Sequence, residues 1–209
     1  MTEPADDLAY RIAQRTLARR GDNYANEVRS LLDAAVVVMK KSGTASRARV
    51  ADIVAESGLS NDAFYRHFRS KDALVAAILE DGTARLRDYV AHQMSKETTP
   101  EGQVRRWVEG VMSQGADDVG AATRAVLWNT AGLGEYSESG PPSPSGPLAG
   151  LLHAPFAELG SADPQFDANL AAHATIGMLV DHLWRRVVPA PGDIDRITAF
   201  CLRTAASGR

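Results

Sequence analysis

A single glycine, Gly58, separates two short apolar-periodic segments and limits what residues 50–74, VADIVAESGLSNDAFYRHFRSKDAL, can become. Val50, Ile53 and Val54 recur at i, i+3 and i+4, one face of a helix, and Ala51 and Ala55 keep that helix slim. Gly58 supplies the left-handed backbone that ends a helix, and Ser60 is a good N-cap for the next. Two short helices meeting at such a turn form helix-turn-helix geometry, in which the second helix fits a DNA major groove. The segment predicts a nucleic-acid reading head.

A net charge of -3 looks wrong for a DNA binder until it is divided along the chain. Residues 11–71 hold 12 Lys and Arg against 6 Asp and Glu, giving +6. Residues 72–209 hold 11 against 17, giving -6, and the first ten residues add -3. The basic part therefore coincides with the helix-turn-helix. An acidic remainder facing away from DNA is tolerated, because salt screens charges beyond about 10 Å.

The rest of the chain predicts an all-α fold. Residues 1–22 carry Arg11, Arg15, Arg19 and Arg20 and form either a solvated, partly disordered tail or a basic arm reaching DNA. A first helix is expected over Tyr24–Lys41, where Val28, Leu31, Leu32, Ala35, Val38 and Met39 form a stripe stopped by Gly43. Ser70 caps a long helix towards Met94 that links a domain at 23–70 to a second at 71–209. Amphipathic helices follow at 101–115 and at Val119–Trp128. In SESGPPSPSGP, residues 137–147, ten of eleven residues are Ser, Gly or Pro, which predicts a helix-free loop. A short helix is expected around Leu148–Leu159.

Asp163-Pro164 then opens a helix to about Val188, with Pro at its first position. This helix is apolar nearly all round: Ala172, Ile176, Leu179 and Leu183 lie on one side, and Leu170, Ala174 and Met178 on another. Such a helix is buried on two sides. A final helix, Asp193–Ala206, carries Ile194, Ile197 and Cys201 with Phe200 beside them. A twofold dimer is expected, the last two helices pairing with their mates through Ile176, Leu179, Leu183, Ile197 and Phe200. The second domain is also expected to bind a small apolar or amphipathic molecule. Trp107, Val111, Met112, Leu127, Trp128, Phe156 and Met178 would form the walls, with Arg124 the one cation near enough for an acidic head group.

Catalysis finds no support. His173 and His182, nine residues apart on one helix, point about 180° apart and cannot share an ion. There is no HExxH, GxSxG, Walker or dinucleotide-binding pattern, so no catalytic residue, metal site or cofactor is expected. A lone cysteine excludes an intrachain disulfide. The acidic start lacks a secretory h-region, and no apolar run approaches the ~18 residues that span a bilayer. A cytoplasmic location is the expectation.

The order Ile53, Ala55, Gly58, Leu59, Ser60, Phe64, Tyr65, His67, Phe68, Ser70, Lys71 and Leu74 resembles the DNA-binding domain of the tetracycline-repressor-like (TetR) regulators. The resemblance covers residues 28–80. The chain departs at Asn61-Asp62-Ala63, where lysine, glycine and threonine are common, and at Phe64, usually leucine. It also has alanine at 48 where a capping threonine is usual, and one extra residue after Gly43. The resemblance implies a ligand-responsive transcriptional regulator, most often a repressor, binding a pseudo-palindromic operator as a dimer. It implies phosphate contacts from Tyr65 and His67. Asn61, Asp62 and Ala63, in the first turn of the second helix, are positioned to read bases, and Arg66 to reach a guanine or a phosphate. Lys71 at a helix N-terminus adds a phosphate site, and Arg49 completes the set of candidate DNA contacts. The competing expectation is a helical enzyme or scaffold whose helix-turn-helix no longer binds DNA.

Overall fold

The computed structural model of the chain describes residues 8–130 and 144–206. Among them there is no strand, and ten α-helices follow in order. These are α1 (Leu8–Ser42), α2 (Val50–Ser57), α3 (Asn61–His67), α4 (Lys71–Met94) and α5 (Pro100–Met112). Then come α6 (Asp117–Trp128), α7 (Ser145–Ala149), α8 (His153–Glu158), α9 (Pro164–Arg185) and α10 (Pro191–Ala206).

Local chemistry accounts for most boundaries. The side chains of Ser60, Ser70, Thr99 and Asp163 each accept a backbone N–H in the first turn of α3, α4, α5 and α9. Each such cap stabilises its helix by about 1 kcal/mol. Pro100 and Pro164 begin α5 and α9, where the missing N–H would have no partner anyway. Gly58 ends α2 at φ 70°, a conformation that side chains resist. In contrast, α2 opens on Arg49, whose side chain makes no cap.

Two expectations need correction. The arm assigned to residues 1–22 is helical from Leu8 onward, so α1 runs for 35 residues and its first part projects exposed into solvent. Helix-forming Ala, Arg, Leu and Gln dominate that stretch, and helix continuity needs no core beneath it. The loop expected at 137–147 falls outside the described residues as far as 143, and 145–147 belong to α7. Pro147 sits in the first turn of α7, where proline is tolerated.

Two apolar cores result, and α4 contributes to both. The first gathers Leu31, Ala35 and Met39 of α1, Ile53 of α2, Phe64 of α3 and Leu74, Val75 and Ile78 of α4. It also includes Ala125 and Val126 of α6. The second packs Val90 and Met94 of α4 against α5, α7, α8, α9 and α10, with Trp107 and Phe156 fully buried. A side chain at Gly110 would come within 2.7 Å of Val90, so glycine lets α4 and α5 close together.

Candidate nucleic-acid interface and apolar cavity

The exposed surface of the reading head is narrower than the sequence implied. Asn61 and Asp62, at the start of α3, are exposed, as are Tyr65 and Arg66. Tyr65 is 58% exposed and leans edge-on against fully buried Phe64, at 5.2 Å between ring centres. Lys71 is the first residue of α4, next to the cap Ser70. Arg49 is exposed and forks onto Asp52 at 2.9 and 3.0 Å, which holds the Asp52 carboxyl below the usual range.

Ala63 and His67 do not face outward. Ala63 lies beside Phe64 on the inner face of α3 and is buried. The His67 side chain is closed off completely; its Nε2 donates to Glu27 of α1 at 2.6 Å, and Tyr24 packs edge-on against its ring. Its hydrogen-bond partner lies forty residues away in sequence, out of reach of local pattern reading. Glu27 also receives Arg66 at 3.1 Å. One carboxylate of α1 thus meets two side chains from the end of α3, the His67 side chain closed off and Arg66 left exposed at the surface.

In the second domain the pattern found the elements but exchanged their faces. A cavity of about 230 Å³ lies between α4, α6, α7 and α9, lined by Ile78, Leu79, Gly82, Thr83 and Leu86 of α4 and Gln114 after α5. Ala122, Thr123, Val126 and Leu127 of α6, Pro144 and Leu148, and Ile176, Leu179, Val180 and Leu183 of α9 complete it. Of the expected wall residues, only Leu127 is among them. Trp107, Val111, Met112 and Phe156 are packed solidly in the core, and the Trp107 indole N–H donates to the Leu148 carbonyl at 2.9 Å. Trp128 is 39% exposed and meets Trp184 edge-on. Arg124 lines a separate polar recess and donates to the Leu183 carbonyl at 3.1 Å, closing the end of α9.

Met178, expected in the cavity, instead lines an open groove of about 640 Å³ on the outer side of α9 and α10, with His173, Ala174, Gly177, Asp181, Arg196, Ile197 and Phe200. Conversely, Ile176, Leu179 and Leu183, expected at a dimer contact, face the cavity. Ile197 and Phe200 do border the outer groove, although Ile197 is 8% exposed. The cavity residues on α4 were missed altogether. The one sequence signal was Gly82-Thr83, which interrupts the apolar stripe of that helix.

Cys201 is buried beside the Thr175 hydroxyl, and burial pushes its thiol up to about 11, which keeps it protonated at neutral pH. Among the described residues no group of three or more His, Cys, Asp and Glu could hold a metal ion. No helix among them is long and apolar enough to cross a membrane.

Residues 31–78 match the family of bacterial regulatory proteins, tetR family. Solved structures share the fold over most of the chain. The fatty acid degradation regulator FadR from Bacillus halodurans superposes with a TM-score of 0.61 at 16% identity, over 84% of this chain and 94% of that one. The reduced form of Escherichia coli NemR gives 0.63 at 14% identity, over 85% and 97%. A protein solved to explain how a bacterial hormone controls antibiotic production gives 0.59 at 22% identity, over 87% and 96%. At such identities the likeness shows the fold. No curated protein matches the chain in sequence.

Proposed function

We propose that this chain, which carries the DNA-binding domain of the tetR family of bacterial regulatory proteins, is a repressor that holds a pseudo-palindromic operator as a dimer and releases it when an uncharged apolar molecule fills the cavity. The observation that carries this reading is the position of the cavity. Its walls include α4, whose first turns belong to the reading-head core, and α6, which also packs into that core. A molecule seated there touches the elements that hold the helix-turn-helix. Base contacts fall to Asn61, Asp62 and Arg66, and phosphate contacts to Tyr65, Lys71 and Arg49. A cytoplasmic site of action goes with this role. Specific, salt-sensitive retardation of the DNA upstream of its own coding region tests the proposal; a mobility unaffected by that DNA sinks it.

The dimer surface is the outer groove of α9 and α10. Phe166, Leu170 and Met178 are 64, 46 and 43% exposed along α9. Three large apolar residues exposed along one helix exceed the scattered exposure expected of a monomer surface. Ala174 and Gly177 between them let a second helix approach closely. Gly177 has open space beyond its Cα, so Gly177→Glu leaves the protomer intact and improves helix propensity. The variant is expected to run as a folded single chain in light scattering, with operator affinity lowered about 10²-fold or more by the loss of bivalent binding. A variant that remains dimeric contradicts this surface.

A further inference from the structure

The chain just before α2 is held by a distant residue. Ala48 is buried, and its N–H donates to Oδ1 of Asn129 at 3.0 Å. Asn129 follows the last turn of α6 and is 1% exposed, and its Nδ2 donates to the Ala125 carbonyl of its own helix at 2.9 Å. Both ends of this amide are therefore engaged, and its orientation is fixed by α6. At α2 no local cap competes, since Arg49 turns its side chain to Asp52 instead.

The same turns of α6 face the cavity. Thr123 and Leu127 line it, Ala125 belongs to the reading-head core, and Val126 belongs to both. Displacing α6 leaves two outcomes for Ala48: its segment follows, or a buried N–H loses its partner. An unpaired buried N–H is the costlier outcome, and packed cores shift as units instead of deforming gradually. We infer that Asn129 is the positioning residue through which occupancy of the cavity moves α2 and the reading head. The inference rests on the regulator proposed above.

The test uses the full-length dimer, a DNA site selected by the wild-type protein from a random pool, and random DNA of equal length. Asn129→Ala is expected to lower the preference for the selected site about tenfold, a size usual for coupled sites, while affinity for random DNA, dimer mass and helix content stay unchanged. Amide exchange is expected to quicken at Ala48 and through α2 only. Asn129→Asp, with its buried carboxyl protonated, keeps both an acceptor for Ala48 and a donor to the Ala125 carbonyl. It is expected to restore most of the preference as pH falls and guards against a variant that merely folds badly. Ala122→Phe places bulk in the cavity without a ligand and is expected to lower selected-site affinity in the wild type but to add nothing in Asn129→Ala. Undiminished preference in Asn129→Ala, or additive losses in the double variant, would overturn the inference and leave the regulator reading standing. A wild-type protein that selects no site from the pool fails the regulator reading itself.

Discussion

Alanine at both Lys71 and Tyr65 is expected to weaken binding to the operator and to random DNA by similar factors. Lys71 opens a 24-residue helix whose first N–H groups, apart from the Ala73 N–H taken by Ser70, remain free for a phosphate. Tyr65 stands exposed on α3 with Phe64 fixing its ring from behind, so its hydroxyl is presented on a rigid support. Phosphate contacts orient the protein without reading sequence. Losing one lysine contact per protomer flattens the dependence of log K on log salt by about 1.8 in a dimer, which corresponds to roughly 30-fold in affinity near 0.15 M salt. Substituting Asn61 or Arg66 is expected instead to change base preference, each lost contact worth about 1–3 kcal/mol. Binding titrations across a salt series separate the two classes. Full affinity and an unaltered slope in the double alanine variant would exclude this docking geometry.

The helix-turn-helix was legible because its determinants are local. Gly58 needs a positive φ, Ser60 and Ser70 reach N–H groups three residues on, and apolar spacing marks the inner faces. The outward-facing set was less legible, because direction within α3 depends on what lies beneath it. Ala63 turns inward with Phe64 because two adjacent positions of this short helix meet the core. His67 is claimed by Glu27, through a hydrogen bond between residues forty positions apart that no periodicity encodes. The resemblance placed tyrosine and histidine alike at phosphates; here only the tyrosine is free to reach one.

The second domain shows a different limit. Apolar residues on two sides of α9 implied two buried surfaces. One side is buried in the chain, while Leu170 and Met178 on the other are exposed, and composition does not say which side meets the chain's own core. Leu179 and Leu183 look like interface residues and instead wall the cavity, while Leu170 and Met178 point outward. What decides is the neighbour: α5, α6, α7, α8 and α10 pack against α9, and Leu170 and Met178 lie on the strip they leave exposed. A long-range tie was equally hidden. Asn129, 81 residues later, accepts the buried Ala48 N–H just before α2, a contact that no local pattern encodes, while α2 itself keeps no side-chain cap.

An uncharged apolar molecule is expected to raise the melting temperature and release the operator together, whereas the carboxylate of the same skeleton does neither. The walls of the cavity offer only Thr83, Gln114 and Thr123 as polar side chains, and none of the described residues lining it is charged. Arg124, the cation that an acidic head group would need, lies in the neighbouring recess with its guanidinium on the Leu183 carbonyl. An ionised carboxylate without a partner in such walls faces a desolvation penalty that apolar contacts of this size do not offset. With about 230 Å³ available, and a cavity of ~150 Å³ known to hold benzene, a molecule of about nine or ten non-hydrogen atoms with one or two hydrogen-bonding groups fits within these walls. At a hundred times its Kd such a ligand stabilises the protein by about 2.7 kcal/mol, which for a chain of this length raises Tm by roughly 5–10 °C. If it binds only the form that has let go of DNA, linkage requires operator affinity to fall as stability rises. Gln114→Leu is expected to weaken ligands that carry a carbonyl or hydroxyl and to spare pure hydrocarbons, and Arg124→Ala to leave both unchanged. A thermal-shift screen of matched alcohols, ketones, esters and acids, repeated with the operator bound, measures each arm. Selective stabilisation by the acids, abolished in Arg124→Ala, would show that the effector is anionic and that the polar recess, not the apolar cavity, holds its head group.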